Sequence, residues 1–155
     1  MRKMPFGEAD FLVRLLTKDF GKMDVLAKGA RKSASKLNAH LDMLNYIRLQ
    51  FVRNGERIPT LTDAEIISRF DDWFSDAERI SVAGRMLQVL DLTILPGSKD
   101  KELFEMALEF FKSNDFSEAR ALQFLRDLFA HEGHGDSLPP EHREAIIQKW
   151  PDLKN

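Results

Sequence analysis

The hydrophobic period of this chain changes once, at Phe70, and that change limits the fold more than any other feature. Before it, apolar residues come in short runs between turn signals or in alternation. After it, they recur at three- and four-residue spacing. The pattern predicts an α+β chain in two parts, a β domain over residues 1–70 and a helical domain over 71–155, with the boundary in the stretch 68–75.

Within the front part, residues 10–17 and 22–28 read as strands, each a dense apolar run of strand length. Asn45–Arg53 alternates most clearly: Ile47, Leu49 and Phe51 share one side, while Tyr46, Arg48 and Gln50 share the other. Asn54-Gly55-Glu56-Arg57 predicts a tight hairpin turn, and Pro59–Ile67 a returning strand. Residues 29–42 predict a loop with a helical turn around Leu37–Leu41. Four strands, a hairpin and a long basic connection fit a small, partly open antiparallel barrel of the OB type.

In the rear part, Ile80, Ala83, Met86, Leu87 and Leu90 mark a helix over 76–95 that Pro96-Gly97 ends. Leu103, Phe104, Ala107, Leu108 and Phe111 mark another over 100–113, and Leu122, Leu125, Leu128 and Phe129 a third over 118–131. A short terminal helix follows Pro139-Pro140, over 141–149. Asp71, Asp72 and Asp76 read as acids at a helix N-terminus, where they oppose the dipole.

The sequence has no cysteine, which excludes disulfides and cysteine-based zinc ribbons. No apolar run reaches the ~18 residues of a membrane span, and the N-terminus has no apolar signal region, so a cytoplasmic location without membrane contact is expected. Charge is divided: residues 1–60 hold 12 Lys+Arg against 6 Asp+Glu, and residues 61–155 hold 11 against 19. A cationic front on a β domain suggests a polyanion as its ligand.

Nucleic-acid binding without base chemistry needs cations for phosphates and flat rings for bases. The candidate cations are Arg14, Lys18, Lys22, Lys28, Arg31, Lys32, Lys36, Arg48 and Arg53, and the candidate stacking groups are Phe20 and Tyr46. Lys28, Arg31, Lys32 and Lys36 share one connection and should act together. Arg14 interrupts an apolar strand and should emerge on the open face. The segment His131–Asp136, with His142 nearby, has metal-ligand chemistry but lies at a helix end, which favours a capping role. Ser33 and Ser35 lack a neighbouring base, and no glycine-rich loop cradles a phosphate. The expectation is a protein that is not an enzyme and needs no metal or cofactor.

Gly7-Glu8-Ala9-Asp10, Phe20-Gly21-Lys22, Ala27-Lys28-Gly29-Ala30-Arg31 and Pro59-Thr60-Leu61-Thr62-Asp63-Ala64-Glu65 occur in the order and spacing of one family. In these blocks the chain resembles the N-terminal domain of the bacterial recombination mediator RecO. The resemblance implies an OB fold followed by a helical domain, binding of single- and double-stranded DNA, and strand annealing. It also implies partnership with RecR and single-stranded-DNA-binding protein during RecA loading. Two departures are visible. Only six residues precede Gly7, which leaves two readings, a misassigned start or a barrel without its first strand, and the helical part is short and without the cysteine zinc motif of many members. A competing expectation is an OB-type scaffold that binds proteins and has no DNA affinity.

Overall fold

The computed structural model describes residues 2–32, 35–135 and 137–154, so Ser33 and Asp136 lie outside the described residues. The chain forms two compact units. One comprises the chain up to Phe70 together with Pro96–Lys99, and the other Asp71–Leu95 together with the chain from Asp100 onward. The sequence reading gave Pro96–Lys99 to the helical half.

The first unit is a five-stranded sheet with β1 (Arg2–Phe6), β2 (Asp10–Thr17), β3 (Gly21–Ala27), β4 (Asn45–Val52) and β5 (Thr60–Arg69). Its order is β1-β2-β3-β5-β4, with a short helix, α1 (Lys36–His40), between β3 and β4. This is OB-type topology in a sheet that does not close. Two expectations are corrected. The sheet is not wholly antiparallel, because β3 and β5 pair in parallel at Leu26 and Thr60. A parallel pair needs a long connection between its strands, and the excursion through α1 and β4 supplies it.

The first strand is also present. β1 pairs antiparallel with β2 from Arg2↔Arg14 to Phe6↔Asp10. It was hidden because Lys3 stands opposite Val13, a core residue, where alternation calls for an apolar side chain. The Lys3 ammonium instead donates to Asp42 Oδ1 (2.9 Å), Asn38 Oδ1 (3.0 Å) and the Asn38 carbonyl (3.2 Å), and lies 5.0 Å from the Phe11 ring centroid. Its stem runs along apolar surface while its head reaches α1 and the loop behind it. Pro5 is tolerated because β1 is an edge strand.

Alternate residues of β2 and β3 turn inward, so Val13, Met23, Val25 and Ala27 join Leu41, Leu61 and Ala64 in the core, with Phe11, Leu15, Ile47, Leu49 and Phe51 packed around them. The Arg57 amide donates to the Asn54 carbonyl (3.3 Å) around Gly55, whose φ is +61°. The strands stop at Val52 and resume at Thr60, however, so this turn sits inside a longer loop and is not a tight hairpin.

The second unit contains α2 (Ala77–Thr93), α3 (Lys101–Lys112), α4 (Glu118–His131) and α5 (Arg143–Lys149), after a 3₁₀ turn over Asp71–Phe74. Asp76, Asp100 and Ser117 cap α2, α3 and α4, each accepting the amide N–H three residues on. Trp73 centres the core: its ring meets Phe110, Phe111 and Phe116 at 5.3, 5.6 and 4.8 Å, and its indole N–H donates to the Phe111 carbonyl (2.9 Å). Ile80, expected inward, is 47% exposed. The buried face of α2 is Val82, Ala83, Met86, Val89, Leu90 and Thr93, and at 3.6 residues per turn Ile80 lies about 120° round the helix from Met86.

Candidate nucleic-acid interface

The basic connection after β3 is held against the β1–β2 turn by a small clasp. The Asp10 carboxylate accepts from the Gly29 amide (2.7 Å), the Arg31 amide donates to the Ala9 carbonyl (2.9 Å), and the Arg31 guanidinium donates to the Gly7 carbonyl (2.7 Å). Gly29, at φ +65°, makes the left-handed turn that aims its N–H at Asp10. Lys28, Arg31, Lys32 and Lys36 are all exposed around this junction. Arg31 uses one nitrogen on Gly7, and its planar fork keeps further donors for a phosphate.

The remaining candidates do not join this group. β2 has eight residues, about 25 Å at ~3.3 Å per residue, and separates the clasp from the Lys18–Phe20 turn. In that turn Lys18 is exposed, and the Phe20 ring, 42% exposed, stands edge-on to Phe51 at 5.1 Å. Arg53 is exposed just after β4, two residues beyond Phe51.

Lys22 is a correction, because it is only 6% exposed. Pro96 bridges to it in parallel, and its carbonyl accepts the Gly97 amide (2.9 Å), so chain lies over this position where solvent was expected. Arg14 does face away from the core, but it is not a bare cation. Its guanidinium binds Asp24, its neighbour across β2 and β3, through Nε (2.8 Å) and Nη2 (3.0 Å). Arg48 likewise donates to Glu65 (2.7 Å) on β5, in an exposed pair. Tyr46 shares the outward side of β4 with Arg48 and is half-buried opposite Ser68. The candidates thus form two groups at opposite ends of β2, together with two strand cations already engaged by carboxylates.

Sequence reasoning missed Lys99. Its ammonium lies 5.8 Å from the Phe20 ring centroid, because Pro96–Lys99 belongs to the β unit. Pro96-Gly97 reads locally as a helix stop, and nothing around it encodes the long-range pairing with Lys22. In the helical unit, His131 Nε2 binds Asp100 Oδ2 (2.7 Å). That hydrogen bond raises the imidazole pKa above its ordinary 6.5, against a smaller opposing effect of burial. The Leu103 amide, more than His131, holds the Asp100 carboxyl below the usual carboxylate value. Among the described residues no three His, Asp or Glu side chains group as metal ligands.

A five-stranded sheet in the order β1-β2-β3-β5-β4, with a helix between β3 and β4, defines a module of the OB class. Residues 1–70 match the family model described as Recombination protein O N terminal. The chain is 34% identical over 108 residues to the DNA repair protein RecO of Heliobacterium modesticaldum, covering 70% of this chain and 39% of that protein. It is 31% identical over 129 residues to the DNA repair protein RecO of Acetivibrio thermocellus, covering 81% and 50%. Against the DNA repair protein RecO of Dehalococcoides mccartyi it is 41% identical over 70 residues, covering 45% and 27%. Residues 1–70 are thus a RecO-type N-terminal domain, and the chain spans half or less of the length of these relatives.

Proposed function

We propose that this chain is a non-enzymatic DNA repair and recombination mediator whose β unit binds single- and double-stranded DNA by the sugar-phosphate chain. The observation that carries the reading is the clasp, which fixes Lys28, Arg31 and Lys32 as an exposed cationic loop beside the β1–β2 turn. A cationic loop whose backbone is already fixed loses less loop freedom on meeting a phosphate than a loose one. Arg14 and Arg48, each engaged by a carboxylate, contribute less. Binding by backbone contacts is tolerant of sequence, as annealing of arbitrary complementary strands requires.

The likeness to proteins described as DNA repair protein RecO supports the repair role, and we propose with it strand annealing, partnership with RecR and single-stranded-DNA-binding protein, and assistance to RecA loading, all in the cytoplasm. No helix of the described residues is long and apolar enough to cross a membrane. The second reading, an OB-type scaffold for proteins, is favoured by the carboxylate partners of Arg14 and Arg48, which leave those strands with little net charge. Fluorescence anisotropy with a labelled single-stranded oligonucleotide separates the two. A mediator binds at micromolar or tighter concentration, with affinity falling steeply as salt rises, whereas a scaffold gives no salt-sensitive binding.

A further inference from the structure

Phe20 is an exposed aromatic ring in a turn that is not loose. The Thr17 hydroxyl accepts the Phe20 amide (3.1 Å) and donates to the Gly21 carbonyl (2.9 Å), so the turn is laced shut. Phe51 packs against the ring in a T-shaped pair, with centroids 5.1 Å apart and planes at 76°. Lys99 is brought beside the ring by a segment anchored on β3, where the Gly97 amide donates to the Lys22 carbonyl and Pro96 bridges to Lys22. Ser98 can lie this close only because residue 21 has no side chain, since a Cβ on Gly21 would overlap the Ser98 carbonyl. Lys18 is exposed in the same turn, whose one acid is Asp19.

We propose that Phe20, Lys18 and Lys99 form a second nucleotide contact, at the opposite end of β2 from the clasped loop. It takes one unpaired base on the Phe20 ring and the adjoining phosphates on the two ammonium groups. The inference rests on the DNA-binding reading above and adds to it a contact selective for single strands. Every base has a flat π face, whereas a paired duplex offers no free face to the ring. Lys99, at 5.8 Å from the centroid, is close enough to be attracted to the ring and far enough to leave it for a phosphate. With cations at both ends of β2, a strand lying along the β2–β3 face meets two anchoring points, and only this one reads the base.

The test uses the full chain and two labelled probes of equal length, an oligothymidylate and an abasic deoxyribose-phosphate oligomer. Phe20→Ala should weaken oligothymidylate binding by roughly 5- to 100-fold and leave abasic binding unchanged. Lys99→Ala should lower the salt slope by about 1 on both probes. Phe20→Trp, which keeps the platform, should retain affinity and show emission quenched by oligothymidylate but not by the abasic oligomer, a result that a misfolded variant would not give. If wild-type protein binds, and a Lys28/Arg31/Lys32→Ala variant binds less, while the Phe20 and Lys99 variants match wild type on both probes, this second contact is wrong and the first stands. If wild-type protein binds neither probe, both fall.

Discussion

Asp10, the first residue of β2, accepts a 2.7 Å hydrogen bond from the amide of Gly29, at the head of the basic connection. Arg31 closes the same junction twice, on the Ala9 and Gly7 carbonyls. The blocks Gly7–Asp10 and Ala27–Arg31, which carry much of the family resemblance, are therefore two halves of one device. Their spacing in sequence reflects a contact in space.

Asp10→Ala leaves the Gly29 N–H without its charged acceptor and should destabilise the β unit by about 1–3 kcal/mol. Asp10→Asn keeps an acceptor oxygen and should recover most of that loss. Urea denaturation of the three proteins checks both expectations, through a lower midpoint for the alanine variant and a near-normal one for the asparagine variant.

Gly21 has φ +66°, and a Cβ there would overlap the Ser98 carbonyl. Gly21→Ala should therefore combine left-handed strain of about 1–2 kcal/mol with displacement of the Pro96–Lys99 segment. The expected result is a clearly lowered melting temperature, together with faster hydrogen exchange at the Gly97 amide. The same substitution at Gly7, also at positive φ but with open space around it, should cost less.

Arg14 and Asp24 form a partly exposed two-bond pair on the outer side of the sheet. A double-mutant cycle with Arg14→Met and Asp24→Asn should give a coupling of about 0.5–1 kcal/mol. Because the guanidinium is already neutralised, Arg14→Met should leave the salt slope of DNA binding almost unchanged. A slope lowered by a full unit would make Arg14 a phosphate contact after all.

The His131–Asp100 bond joins the end of α4 to the cap of α3 and gives the helical unit a pH dependence. His131 is raised above 6.5 on folding, so its contribution is complete below that value and is lost as pH rises through the raised one. Asp100 is lowered below 3.8, so its contribution is present above that value and is lost as pH falls through the lowered one. Stability from this pair should peak between about pH 4 and 6.5, with less than about 1 kcal/mol lost by pH 8 because the pair is partly exposed. Thermal melts across this range should show the decline in wild type and not in His131→Ala.

Strand β4 and helices α2 to α4 were legible because each carries apolar residues at a period that matches its geometry, β2 and β3 as dense apolar runs, and α5 from the Pro139-Pro140 break before it. β1 was not, because an inward lysine satisfied by Asn38 of α1 and Asp42 beyond it looks polar in sequence. The break that Arg14 makes in an apolar strand marks it as facing away from the core, but its partner Asp24 depends on hairpin register, fixed by the turn over Lys18–Phe20. Burial of Lys22 and arrival of Lys99 both come from one distant segment laid along β3, a pairing with no local signature.

The central claim, that the clasped loop grips the sugar-phosphate chain, is tested most directly by the salt dependence of oligonucleotide binding in a Lys28/Arg31/Lys32→Ala variant. Replacing three phosphate contacts should weaken binding and flatten the slope of log affinity against log salt by about 2–3 units relative to wild type. A variant that binds as wild type does, with the same slope, would contradict it.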